Sequence, residues 1–197
     1  MKQGYVYTVV FMFVISAVFT AVLALTNTFY LPAIKANDAL AEKKSILDAL
    51  DMKVPAGTDD LNVLFDKYIK KTGISGMDLY ERLDENGNIT GYAIPFSRPG
   101  LWGTIKGYAG ISGDLNTLLG INFTSQSETP GLGGRIDEAW YKEQFRGVPV
   151  KKDGKPEYNP ETSGIDGITG ATITSNSVTK IIKQLVEEKL SGLEGAK

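Results

Sequence analysis

Hydroxyl-bearing side chains are concentrated in one stretch near the C-terminus, DGITGATITSNSV, which spans residues 166–178 and precedes an amphipathic segment. Its central hydroxyls belong to Thr169, Thr172, Thr174 and Ser175. An N-cap by Thr174 or Ser175 would stabilise the following helix by about 1 kcal/mol. The free N–H groups and the dipole of that helix end also favour a phosphate. A cap alone does not account for Asp166, Ala171 and the two other threonines in this order.

The composition excludes several kinds of chemistry for this chain. Its 197 residues include no cysteine and no histidine, which excludes thiol catalysis, triads built on histidine and zinc sites with these ligands. A Walker A motif needs Gly-Lys-Ser/Thr, but no lysine occurs between Pro156 and Lys180. The 21 Lys and Arg are scattered among 23 Asp and Glu, so no basic stripe for nucleic acid is present. Redox chemistry would therefore need a bound cofactor.

Two glycine-rich segments could contribute to a ligand site. RPGLWGT, residues 98–104, places Trp102 between glycines, where the ring either fills the core or forms an aromatic wall for a planar ligand. SETPGLGG, residues 127–134, offers the carboxylate of Glu128 and the hydroxyl of Thr129. Its glycines either punctuate a loop or allow close approach of a ligand to the backbone.

The N-terminal region contains an apolar run from Tyr5 to Leu25 without charge or proline. At about 1.5 Å per residue, this run is long enough to cross a hydrocarbon core about 30 Å thick. The alternative is a cleaved signal peptide, but the apolar region of such a peptide is usually about 7–15 residues. The length favours a retained anchor. Lys2 and the terminal amine predict a cytoplasmic N-terminus with the large domain outside.

Helical periodicity follows the apolar run. Residues 33–51 are predicted to continue the first helix, and residues 60–73 are predicted to form a second. Thr58 or Asp59 could cap the second helix, and Gly73 is placed to end it.

The remaining pattern changes from helix to strand and back. Asn86-Gly87 and Gly113-Asp114 each lie between strand-like runs and predict two hairpins. A short helix is predicted at 137–145 with Asp137 as its cap. The closing helix has apolar residues with helical spacing, namely Val178, Ile181, Ile182, Leu185 and Val186. The predicted fold class is α+β: an N-terminal transmembrane helix followed by an antiparallel sheet flanked by helices.

Three motifs in this order resemble one protein family. DGITGAT, residues 166–172, is similar to the signature Asp-x-x-Ser/Thr-Gly-Ala-Thr, at which a flavin transferase joins FMN by a phosphoester to the final threonine. ETPGLGG and GLWGT resemble two further marks of the same family, the FMN-binding subunits of ion-translocating oxidoreductases. Its members are the G subunit of the Rnf complex and the C subunit of the sodium-pumping NADH:quinone oxidoreductase. The resemblance covers nearly the whole chain.

The resemblance implies a role for each matching residue. Thr172 would carry the covalent FMN, and Asp166 would be the acidic residue recognised in the motif. The loop would be shaped by Thr169, Gly170 and Ala171. Further contacts to the flavin ring or ribityl chain are implied for Trp102, Glu128, Thr129, Leu132 and Gly133. No catalytic residue or metal ligand is implied.

The resemblance also implies an organisation and a setting. Residues 1–31 would form the membrane anchor, residues 32–75 a helical lead-in and residues 76–197 the FMN-binding domain, on the extracytoplasmic side of the bacterial inner membrane. The chain would relay electrons among other membrane subunits and have no substrate site of its own. Its partners would be those subunits and, during maturation, the flavin transferase.

The particular complex is less sharply indicated by the sequence. GLWGT and the second glycine of GLGG are more similar to the quinone-reductase subunit, whereas the short length and lack of large insertions favour the Rnf subunit, which we prefer. The alternatives are the quinone-reductase subunit, a free-standing flavoprotein of an extracellular electron-transfer chain, and a non-redox membrane-anchored binding module.

Overall fold

The computed structural model describes residues 2–74 and 76–195. The chain divides into two compact units, residues 1–40 and residues 41–197. The first unit is formed by the long helix α1 (Lys2–Ala49), whose last residues belong to the second unit. Within the described ranges, α1 is the one helix long and apolar enough to span a membrane. The predicted continuation of this helix beyond the apolar run is confirmed as far as Ala49.

The second unit is built on an antiparallel sheet of five strands in sequential order. The strands are β1 (Ile69–Ile74), β2 (Met77–Leu83), β3 (Ile89–Pro99), β4 (Thr104–Ser112) and β5 (Leu118–Ser125). The two hairpins predicted around Asn86-Gly87 and Gly113-Asp114 are β2–β3 and β4–β5. The α+β fold class is confirmed.

The second predicted helix is wrong at both ends. Helix α2 is Thr58–Tyr68, with Gly57 rather than Thr58 or Asp59 at its N-cap position. The backbone becomes extended at Ile69, and the next residues pair with β2 as the edge strand β1. The helical period of the apolar side chains extends to Ile69, but from that residue on the backbone pairs with β2 and strand pairing satisfies the backbone of residues 69–74.

Shorter elements connect the sheet to the C-terminus. A 3₁₀ turn (Gly133–Asp137) precedes α3 (Ala139–Glu143), and the two-residue strands β6 (Lys151–Lys152) and β7 (Lys155–Pro156) form a small hairpin. The prediction that Asp137 caps the helix is wrong, because Glu138 occupies the cap position. The Asp137 carboxylate instead accepts a hydrogen bond from Gln126 at 2.9 Å.

The closing helix packs its apolar stripe into the main core, as predicted. Helix α4 (Thr172–Leu185) continues through a π-helical turn (Val186–Leu190) into α5 (Ser191–Glu194). Its buried side chains join those of β3, β4 and β5 in one cluster. These contacts anchor α4 in the core and help to position its first residue.

The end of α1 packs on the other face of the sheet. Along β4, Ile105, Ala109 and Ile111 lie in the main core, whereas a Cβ at Gly110 would lie 1.9 Å from the carbonyl oxygen of Ala49. Alternate residues of a strand point to opposite faces. Gly110 therefore lets the last turn of α1 lie directly against the strand.

Candidate functional site

Thr172 is the first residue of α4 and is exposed. The N-cap position is occupied by Ala171, and no side chain of the described residues makes a capping hydrogen bond there. The first N–H groups of an α-helix have no partner within the helix. Thr172 therefore lies at a helix end whose backbone donors are available to a ligand.

The prediction that Thr174 or Ser175 caps this helix is wrong, because α4 begins before both of them. The Ser175 hydroxyl accepts a hydrogen bond from the N–H of Ile168 at 2.9 Å and donates to the carbonyl of Ala171 at 3.1 Å. Thr174 donates to the carboxylate of Glu128 at 2.6 Å. Both hydroxyls are buried and hold neighbouring loops against the helix.

The loop before Thr172 is a tight turn. The N–H of Ala171 donates to the carbonyl of Ile168 at 2.9 Å, and Gly170 has a φ of +80°. A positive φ at the third residue of a turn favours glycine. Thr169 and Gly170 are exposed at the tip of this turn.

Gln144, which sequence reasoning missed, braces the start of the same loop. Its side-chain oxygen accepts a hydrogen bond from the N–H of Asp166 at 2.7 Å, and its side-chain nitrogen donates to the Asp166 carbonyl at 3.4 Å. The Asp166 side chain itself is exposed. A glutamine distant in sequence gives no local signal for this contact.

Glu128 joins three segments through one buried carboxylate. Oε1 accepts hydrogen bonds from the N–H groups of Leu101 at 3.0 Å and Trp102 at 3.1 Å, and Oε2 accepts from Thr174 at 2.6 Å. Glu128 is only 4% exposed. Gly133 is buried beside this contact, where a Cβ would lie 2.6 Å from the Thr174 hydroxyl oxygen.

Large apolar side chains are exposed on these same segments. Trp102 is 70% exposed and Ile173 is 60% exposed. Leu132 is 45% exposed and lies beside the turn, since a Cβ at Gly170 would be 3.2 Å from its Cδ2. Thr129 is exposed, and its carbonyl accepts hydrogen bonds from the N–H groups of Leu132 and Gly134. The predicted site residues thus meet around the Glu128 contact and the turn, whereas Asp166 lies at the Gln144 end of the loop.

Comparison with known proteins shows the family of the chain. Residues 100–187 match the family model described as FMN-binding domain. The chain is 31% identical over 179 residues to the G subunit of the ion-translocating oxidoreductase complex of Methanosarcina acetivorans, covering 91% of each chain. It is 33% identical over 120 residues to the C subunit of the Na⁺-translocating NADH-quinone reductase of Pasteurella multocida, covering 57% of this chain but only 46% of that protein.

Two solved structures share the fold. NqrC of Shewanella oneidensis superposes with a TM-score of 0.66 at 18% identity, covering 78% of this chain and 95% of that one. The C subunit of the Na⁺-translocating NADH-quinone reductase of Parabacteroides distasonis gives a TM-score of 0.64 at 23% identity, covering 83% and 95%.

The sheet, the closing helix and the site define a flavin-binding domain of the FMN-binding type. The chain belongs to the family that comprises the G subunits of ion-translocating oxidoreductase complexes and the C subunits of the Na⁺-translocating NADH-quinone reductases. The family predicted from the three sequence motifs is thereby confirmed.

Proposed function

We propose that this chain is a membrane-anchored electron-transfer subunit that carries FMN as a phosphoester on Thr172. The observation that carries the proposal is that Thr172, inside the DGITGAT motif, is an exposed residue at an uncapped helix N-terminus. When bound, FMN would supply the one-electron chemistry that the side chains lack. Attachment would form a bond from Thr172 Oγ1 to the FMN phosphorus and break the bridging P–O bond of a phosphoanhydride donor held by the flavin transferase, so that the donor's other phosphate group leaves and the hydroxyl proton is released.

The residues present fit this cofactor. The free N–H groups and the dipole of α4 would stabilise the phosphate charge at Thr172. The exposed faces of Trp102 and Leu132 would hold the flavin ring, and Thr129 offers a hydroxyl to the ribityl chain. Both carboxylate oxygens of Glu128 are already engaged by donors of the protein. Glu128 would accordingly act by holding the loops.

Covalent attachment is tested by expressing the full chain with a flavin transferase and illuminating a denaturing gel with ultraviolet light. We expect a fluorescent band for the wild type and none for Thr172→Ala. Ser177→Ala, which removes a hydroxyl five residues further along α4, is the matched control and keeps the band. Mass spectrometry of the peptide containing Thr172 identifies the adduct. A wild-type chain without a band, or a Thr172→Ala chain that keeps it, contradicts the proposal.

We further propose an Rnf-type complex rather than a quinone reductase. The support is coverage: the alignment to the Methanosarcina relative includes 91% of both chains, whereas that to the Pasteurella relative includes 46% of the relative. The partners would be the other membrane subunits of an ion-translocating oxidoreductase. Affinity purification of the full chain from native membranes, followed by mass spectrometry, tests this. Recovery of quinone-reductase subunits instead would favour the alternative.

We also propose that α1 crosses the membrane once, with residues 1–31 as the anchor and the FMN domain on the extracytoplasmic side. The chain contains no cysteine, so a single introduced thiol is unique. A membrane-impermeant maleimide added to intact spheroplasts is expected to label Lys53→Cys but not Gly4→Cys until the membrane is opened. Labelling of Gly4→Cys alone would reverse the orientation.

A further inference from the structure

We propose that Glu128 is a positioning residue. It fixes the loop between β3 and β4 (residues 100–103, the Trp102 loop) and the 128–134 loop to the first turn of α4. The effect of this contact on the flavin rests on the proposed function, whereas the contact itself does not. Leu101, Trp102 and Thr174 all donate to this single carboxylate. The group therefore couples the backbone that carries the exposed tryptophan to the helix that begins at Thr172.

The burial of Glu128 requires an explanation. The residue is 4% exposed, and within residues 2–74 and 76–195 it forms no ion pair with a lysine or arginine. Burying an ionised carboxylate is costly unless donors replace the lost water. Two backbone amides and one hydroxyl do so here, and hydrogen bonds to a charged acceptor are about twice as strong as neutral ones.

Two glycines lie close against the carboxylate. A Cβ at Gly100 would lie 2.5 Å from Oε1, and one at Gly133 would lie 3.1 Å from Oε2. Side chains at either position would separate the loops. The two glycines thus allow backbone from both loops to contact the carboxylate directly.

Loss of a contact that only stabilises the fold would accelerate hydrogen exchange throughout the domain, whereas loss of a positioning contact would accelerate it only nearby. The first experiment therefore measures amide hydrogen exchange by NMR in the full chain, expressed without transferase so that no flavin is present. In Glu128→Ala we expect Leu101 and Trp102 to exchange about tenfold faster or more, because a charge-assisted bond is lost. Amides in the centre of β4 should change little.

Conservative variants distinguish the hydrogen bonds from side-chain volume. Glu128→Gln retains an acceptor for the two amides, so we expect exchange to remain within about threefold of the wild type. Thr174→Val removes the hydroxyl that links Glu128 to α4, so we expect faster exchange at Leu101 and Trp102. Thr174→Ser keeps a hydroxyl, so we expect exchange as in the wild type. Glu81→Gln, which alters another buried carboxylate, is the control and leaves these two amides unchanged. Unchanged exchange in both Glu128→Ala and Thr174→Val, or equal acceleration across the sheet, overturns the proposal.

The second readout is the midpoint potential of the flavinylated chain. Glu128→Gln removes a negative charge while retaining hydrogen-bonding capacity, so electron uptake becomes easier and the potential rises. Glu81→Gln is expected to leave it unchanged. An unchanged potential in Glu128→Gln overturns the expectation that the charge of Glu128, held beside the flavin, acts on its potential. Absence of flavin on the wild-type chain would instead overturn the proposed function and leave the exchange result standing.

Discussion

Gly133 allows Glu128 and Thr174 to meet, and this makes it sensitive to a single methyl group. A Cβ at this position would lie 2.6 Å from the Thr174 hydroxyl oxygen and 3.0 Å from Glu128 Cβ. We expect Gly133→Ala to lower the free energy of unfolding by about 1–3 kcal/mol, as overpacking of a tight site does. Chemical denaturation of the full chain in detergent micelles measures it.

Gly167→Ala is the matched control for that substitution. Its nearest neighbour would be Ser175 Cβ at 3.7 Å, which is an ordinary contact. We expect little loss of stability there, because a Gly→Ala change at an unstrained position reduces the entropy of the unfolded chain. An equal loss of unfolding free energy in the two variants would show that the close contact at Gly133 does not cause the destabilisation.

The roles of individual residues were only partly predictable. DGITGAT indicated the glycine turn and the place of Thr172 at the start of a helix because those features are local in sequence, whereas the role of Thr172 as the attachment site stays a prediction. Thr174 and Ser175 were predicted as caps, yet Thr174 bonds a carboxylate 46 residues away and Ser175 bonds the N–H of Ile168. Gln144 gave no signal, because its contact to Asp166 spans 22 residues. Long-range hydrogen bonds are determined by packing, which a local motif does not report.

At the level of elements, those with strong periodicity and clear turns were predicted well. The closing helix has its apolar residues at helical spacing, and the Asn86-Gly87 turn has the positive φ at Gly87 that such a hairpin needs. The edge strand β1 was missed because Ile69 fits both the preceding helical stripe and the first position of a strand. Pairing with β2 decided between the two, and that partner lies outside any local window.

The packing of the end of α1 on the sheet was also not predictable from local sequence. Its last turn is fixed by the Ala49 carbonyl against Gly110 and by ion pairs from Arg146 to Asp48 and Asp51, at 3.1 and 2.7 Å. Tyr108 of β4 also donates to Glu42 at 2.5 Å. The sequence predicted a helix in this region but contained no indication of the sheet face on which it packs. Residues 41–49 are therefore an integral part of the folded second unit.

At the scale of the whole molecule, the chain lacks histidine, so no side chain has an ordinary pKa between 6 and 8. Its buried and half-buried tyrosines give it a different pH response. Burial is the main cause that raises the pKa of five of them, and Glu42 raises that of Tyr108 further through a hydrogen bond. The five are Tyr80, Tyr92, Tyr108, Tyr141 and Tyr158.

These tyrosines predict alkaline unfolding of the second unit. A tyrosine whose folded pKa is raised remains protonated in the fold, whereas in the unfolded chain it ionises near pH 10. Its stabilising contribution is thus complete below pH 10 and is lost as the pH rises above it, by up to about 1.4 kcal/mol per pH unit for each proton. Denaturant unfolding of the full chain in micelles at a series of pH values should show stability falling above about pH 10. Tyr108→Phe, which removes the hydrogen bond to Glu42, lowers stability below about pH 10 and makes the loss of stability above that pH shallower by about one proton. A slope equal to that of the wild type would show that Tyr108 does not contribute.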